Sequence, residues 1–125
     1  MKKTVATPLA PAAVGPYSQA VVAGNTIYVS GQLPIDAATG EFAPGGVREQ
    51  LHQIFKNIGY ILKEAGYDFS DVVKTTVYLT DMKDFAVLNE VYAEYYSSPY
   101  PARVAYAVAA LPKAALAEVD VIAVK

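Results

Sequence analysis

The sequence predicts a single α+β domain over residues 1–125, a mixed sheet covered on one face by two helices. Three observations lead there. Apolar residues recur at helical spacing over 47–65 and again over 85–95. Segments rich in Val, Ile, Thr and Tyr flank these stretches, which gives the order β-β-α-β-α-β-β. The length of 125 residues suits one domain, and no linker, repeat or low-complexity tract divides it.

The chain begins with a short stretch near Lys3 to Ala6 that could add one more strand. Residues 8–16 are rich in Pro, Ala and Gly and should run extended with turns. Ser18 to Val22 and Thr26 to Ser30 read as strands, and Gly24-Asn25 between them signals a hairpin. Asp36 to Gly46, with Thr39-Gly40 and Pro44-Gly45-Gly46, reads as a loop. Val47, Leu51, Ile54, Phe55, Ile58 and Ile61 then form one helical stripe, and Gly66 follows as its stop. Val72 to Thr80 reads as a strand, and Thr80-Asp81 offers a cap to the second helix. Pro99 and Pro101 end that helix. Arg103 to Ala109 and Ala117 to Val124 are the last two strands, and Leu111-Pro112-Lys113 opens the connection between them.

Two helices cover only one face of such a sheet, so the other must be polar or buried by another chain. Composition favours the second solution. The chain is 54% hydrophobic and 18% charged, against roughly 45–50% and about 25% in ordinary soluble domains. Net charge is −2, and the ten Lys and Arg are scattered, so no basic stripe suggests nucleic-acid binding. There is no cysteine, which excludes disulfides, thiolate metal sites and a cysteine nucleophile. The one histidine, His52, builds no metal site by itself and is expected to face solvent. No apolar run reaches membrane-spanning length, and the prolines at 8 and 11 break any signal-peptide core. A soluble cytoplasmic protein without a metal is expected.

Strand alternation sorts the residues able to carry chemistry. Arg103, Ala105, Ala107 and Ala109 share one face, and Val104, Tyr106 and Val108 share the other. The bulky set suits the core beneath the helices. The first set places a guanidinium beside small residues, leaving room for a planar carboxylate held by two parallel hydrogen bonds. By itself this pattern reads more readily as an edge-strand arginine in solvent or in a structural ion pair. Glu118 and Asp120 fall on the face opposite Val119 and Val121. Either could activate a water, or be a solvated acid paired with Lys113 or Arg103. Tyr17 follows a Gly-Pro turn, and Gly31 ends a strand where main chain can be approached closely. Tyr92, Tyr95 and Tyr96 are read as packing residues. No Walker loop, dinucleotide fingerprint, hydrolase elbow or zinc spacing occurs.

Taken in order, four blocks resemble the RidA/YjgF family of imine deaminases. They are Ala10-Pro11-Ala12-Ala13-Val14-Gly15-Pro16-Tyr17-Ser18-Gln19-Ala20; Ser30-Gly31-Gln32-Leu33-Pro34 with Thr39-Gly40-Glu41; Val73-Lys74-Thr75-Thr76-Val77-Tyr78 with Asp84-Phe85 and Asn89; and Pro101-Ala102-Arg103 with Leu111-Pro112-Lys113 and Glu118-Val119. The resemblance covers nearly the whole chain. It implies a chorismate-mutase-like fold and a homotrimer whose sheets form a central barrel, with active sites at the interfaces between chains. It also implies hydrolysis of 2-iminopropanoate and 2-iminobutanoate to 2-keto acids and ammonia, with no cofactor. By the same resemblance Arg103 holds the substrate carboxylate, Glu118 positions the water, and Tyr17, Gly31 and Asn89 line the pocket. Ala105 stands where many members carry cysteine, which makes the pocket roomier and puts substrate preference in question. Two other readings stand beside this one. One is a trimer that binds 2-keto acids without turnover, and the other is an endoribonuclease, which the acidic balance disfavours.

Overall fold

The computed structural model describes all residues, 1–125. Eight strands and two helices follow the expected order, with two additions. The strands are β1 (Lys2–Val5), β2 (Ala20–Ala23), β3 (Thr26–Gln32), β4 (Ile35–Asp36), β5 (Glu41–Phe42), β6 (Val72–Leu79), β7 (Ala102–Ala107) and β8 (Ala117–Val124). The helices are α1 (Val47–Glu64) and α2 (Phe85–Tyr95). The stretch near the N-terminus is indeed a strand. The hairpin β4–β5 lies inside the segment expected to be a loop. Strands of two residues have no periodicity to read, so the sequence could not announce them.

The six long strands form one sheet in the order β1-β2-β3-β8-β6-β7. All neighbours are antiparallel except β6 and β7, which run parallel with α2 as their crossover. Both helices pack on one face. From α1, Leu51, Ile54, Phe55, Ile58, Ile61 and Leu62 are fully buried, and from α2, Leu88 and Val91 are too. They meet Ile27, Val77, Leu79, Val119 and Val121 of the sheet, each such side chain contributing about 1.5–3 kcal/mol by leaving water. The ring of Phe55 stacks on Tyr95 at 5.0 Å between centroids and meets Phe69, Tyr92 and Tyr96 edge-on. The three tyrosines at 92, 95 and 96 are therefore packing residues, as their spacing suggested.

Polar side chains fix the ends of these elements. Glu49 Oε1 accepts from the backbone N–H of Gly46 at 2.8 Å and closes the start of α1. Gly66 takes φ +83° just beyond that helix, the left-handed conformation a helix stop requires. Asp81 caps a single 3-10 turn, Met82–Asp84, that leads into α2. Asn57, fully buried on α1, donates to the carbonyls of Leu33 and Ile35. His52 is half-buried rather than solvent-facing, because α2 packs alongside and places the Tyr95 hydroxyl 2.9 Å from its Nδ1.

The second face of the sheet has no cover within the chain. Tyr28, Val104, Tyr106 and Val124 are exposed there, and Tyr78 donates to Asp120 Oδ2 across it at 2.9 Å. This overturns the expected orientation of β7. Val104 and Tyr106 are 42% and 44% exposed on the open face, while Ala105 packs on the core side. The side of β7 toward the helices is already occupied by Arg103 and the α2 residues around it, so only small neighbours fit. No helix is long and apolar enough to cross a membrane.

Candidate functional site

The candidate residues fall into two groups, one on each face of the sheet. The first is built on β7 and α2. Arg103 lies in register with Thr75 of β6, whose side chain is fully buried toward the helices. The guanidinium therefore leaves the helix side, at the strand that forms the sheet edge. Its Nη1 donates to Asn89 Oδ1 at 2.9 Å. Its central carbon lies 4.8 Å from the ring centroid of Tyr92 and 5.4 Å from that of Phe85. Arg103, Asn89, Tyr92, Ala93, Tyr100 and Pro101 line a shallow cavity of about 290 Å³. Ala105, two residues on, sits on the same side against the core.

The second group is built on β3, β8 and the segment before β2. Glu118 lies in register with Tyr78, three residues along β6 from Thr75 and therefore on the open face. Its carboxylate lies over Gly31, where a Cβ would collide with Oε2. The β3–β8 register shifts between Val29 and Gln32, and this irregularity carries Gly31 close under Glu118. Burial, followed by the charge of Asp120 two residues on, pushes the Glu118 carboxyl above the usual carboxylate range. Tyr17 is exposed and lines a cavity of about 470 Å³ with Thr7, Ala13 and Gln19, and the two residues after it tie this segment to β3. Ser30 Oγ donates to the carbonyl of Ser18 at 2.6 Å, and Ser30 N–H donates to the carbonyl of Gln19 at 3.0 Å. Buried Gln19 in turn accepts from Thr7 N–H and donates to the carbonyls of Thr7, Ala10 and Pro11. This hub fixes the whole 7–19 segment, a role its sequence block alone did not disclose.

Neither charge is neutralised within the chain. The ion pairs are Arg48–Glu90, His52–Glu94 and Lys83–Asp81, all peripheral. Neither Arg103 nor Glu118 takes part, so the ion-pair alternatives read from the sequence do not occur. A guanidinium without a carboxylate partner is able to take one, and a carboxyl raised by burial is able to trade protons with water. The sequence pointed to Arg103, Glu118, Tyr17, Gly31 and Asn89. It did not point to the ring faces of Phe85 and Tyr92, of which Tyr92 reads from the sequence as a packing residue.

Known proteins resemble this chain over nearly its whole length. A family model described as Endoribonuclease L-PSP matches residues 7–125. A protein of Bos taurus named 2-iminobutanoate/2-iminopropanoate deaminase is 54% identical over 125 residues, covering all of this chain and 91% of its own. The Homo sapiens protein of the same name is 50% identical with the same coverage. The crystal structure of RidA from the Antarctic bacterium Psychrobacter sp. superposes with a TM-score of 0.95 at 52% identity, covering 98% of this chain and 99% of that one.

Proposed function

The chain belongs to the RidA/YjgF family, the one whose model is described as Endoribonuclease L-PSP, and from that premise we propose that it hydrolyses 2-iminopropanoate and 2-iminobutanoate to 2-keto acids and ammonia. The observation that carries the reading is the pair of uncompensated charges, Arg103 and Glu118.

A 2-imino acid has a carboxylate beside a carbon that is already electrophilic. Its hydrolysis needs a held carboxylate, a placed water and a proton carrier. Arg103 binds the carboxylate in a bidentate pair. Glu118 takes a proton from water as the oxygen bonds to C2 and the C=N π electrons move to nitrogen. The imine reacts in its protonated form, so the carbinolamine that results carries an NH2 group and takes the proton from Glu118 to become NH3+. Its C–N bond then breaks as the hydroxyl proton is lost, giving the keto acid and ammonia. A carboxyl raised by burial is suited to both halves of that shuttle. Tyr17 and the backbone at Gly31 border the reacting carbon.

Arg103 and Glu118 leave opposite faces of one sheet, so one chain cannot place both on one substrate. The functional unit is a homotrimer, each site combining the Arg103 group of one subunit with the Glu118 group of its neighbour. The open sheet face, with Tyr28, Val104 and Tyr106 exposed, is the surface the trimer buries.

Imine generated in situ by an amino-acid oxidase and trapped with semicarbazide tests the reading. Wild type should deplete both imines, and Arg103→Ala and Glu118→Gln should fall to the spontaneous rate while staying folded. Wild type without effect on either imine would remove the substrate class. The family model's own description favours a second reading, cleavage of RNA. The absence of a basic cluster in the sequence speaks against it, and incubation with single-stranded RNA decides it.

A further inference from the structure

Arg103 is held entirely by neutral groups. One stripe of α2 supplies them: Phe85, Asn89 and Tyr92 stand at i, i+4 and i+7 and so face β7 together. The amide oxygen of Asn89 accepts from Nη1 at 2.9 Å. Tyr92 and Phe85 present ring faces 4.8 and 5.4 Å from the guanidinium carbon, inside the roughly 6 Å range of cation–π attraction. No acid lies within ion-pair distance. The Tyr92 hydroxyl is buried without a hydrogen-bond partner, so this residue works through its ring.

An arginine on a sheet edge has many rotamers and normally finds a carboxylate. Here an amide stands where aspartate, of nearly identical shape, would fit. Aspartate would orient the side chain as well, with a stronger bond. It would also cancel the charge that must attract an anionic ligand. We propose that Asn89 and Tyr92 are positioning residues that form a charge-sparing clamp: they fix the Arg103 guanidinium while leaving its full charge for the substrate carboxylate. Asn89 thus acts through Arg103 rather than by touching substrate. The clamp rests on the reading of Arg103 as the carboxylate anchor and adds what makes that anchor selective for a carboxylate.

The test is calorimetric titration of the full-length protein with 2-oxobutanoate, alongside imine turnover, with folding followed by circular dichroism. Arg103→Ala checks the anchor itself. Asn89→Asp keeps shape and orientation but supplies a negative charge, and should raise the Kd and KM by at least about tenfold with kcat little changed. Asn89→Ala leaves the charge uncompensated and should weaken binding only a few-fold. Tyr92→Phe, which keeps the ring face, should bind more tightly than Tyr92→Leu, which removes it. Asn89→Asp binding as wild type does, or Asn89→Ala proving as damaging as Asn89→Asp, overturns the clamp while leaving the anchor in place. Equal binding by Tyr92→Leu and Tyr92→Phe overturns the ring's part in it. Undiminished binding by Arg103→Ala removes the anchor, and the clamp with it.

Discussion

Arg103 and Glu118 lie on opposite faces of the same sheet, on strands that flank β6 from either side, at register positions Thr75 and Tyr78. The offset of three residues along β6 is roughly 10 Å, and two strand spacings across add roughly 9–10 Å. No rotamer joins the two groups within one chain. The proposed hydrolysis therefore calls for a second subunit to bring the two groups to one substrate, and each half of the site can be tested separately.

Gly31→Ala should abolish most activity without unfolding the protein. The new Cβ meets the far end of the Glu118 side chain, which can swing away at little cost to the fold. Displacing the proton carrier by an ångström or so should lower kcat by about a hundredfold. Steady-state kinetics beside an unchanged thermal melt would check this.

Glu118→Gln should lower kcat by about 10²–10⁴-fold and stabilise the fold in a pH-dependent way. Burial and Asp120 hold the Glu118 carboxyl above its ordinary range, so ionising it costs the folded state. Below the unfolded value both forms are protonated and the cost is absent. As pH rises through the raised folded value the cost appears in full. The variant should therefore melt higher than wild type at pH 7, and the gap should close at acid pH. A gap that widens on acidification would contradict the assignment.

Much of this was legible in the sequence, and what was not has a physical cause. The helices at 47–64 and 85–95 were plain because one apolar stripe in each meets a continuous core. The orientation of β7 departs from the alternation reading because side-chain size does not by itself signal burial. Val104 and Tyr106 are bulky, yet they face the side that no element of the chain covers. Small residues face the helices because Arg103, Asn89 and two aromatic rings take up the space. Gly31 was recognisable as a place of close approach, but its partner Glu118 lies 87 positions away, and only the β3–β8 pairing brings them together. The clamp on Arg103 was hidden for the same reason, since Phe85 and Tyr92 also fit a packing stripe.

Tyr106→Asp should dissociate the assembly. The side chain lies on the open face, edge-on to Tyr78 at 5.5 Å, and a charge there would be buried by a neighbouring subunit without a partner. Light scattering should show a shift from the trimer toward the 13.3 kDa chain, with helical circular dichroism retained and turnover lost. An intact trimer of unchanged activity would exclude this face as the interface.

Phe55→Ala should cost about 3–5 kcal/mol of stability, the usual effect of removing a fully buried phenylalanine. Its ring joins α1 to α2 through Tyr92, Tyr95 and Tyr96. Loss would also loosen the helix that carries Asn89, so binding of 2-oxobutanoate should weaken along with the melt. Denaturant titration and calorimetry check the two effects.

Subunit mixing tests the central claim most directly. Arg103→Ala and Glu118→Gln chains, each inactive alone, are denatured together in equal amounts, refolded and assayed on 2-iminobutanoate. If each site takes Arg103 from one subunit and Glu118 from the next, every mixed trimer regains one intact site, and random assembly restores about a quarter of wild-type activity. No recovery, in a preparation where tagged chains confirm that mixed trimers have formed, would place both groups in one chain's site and contradict the account.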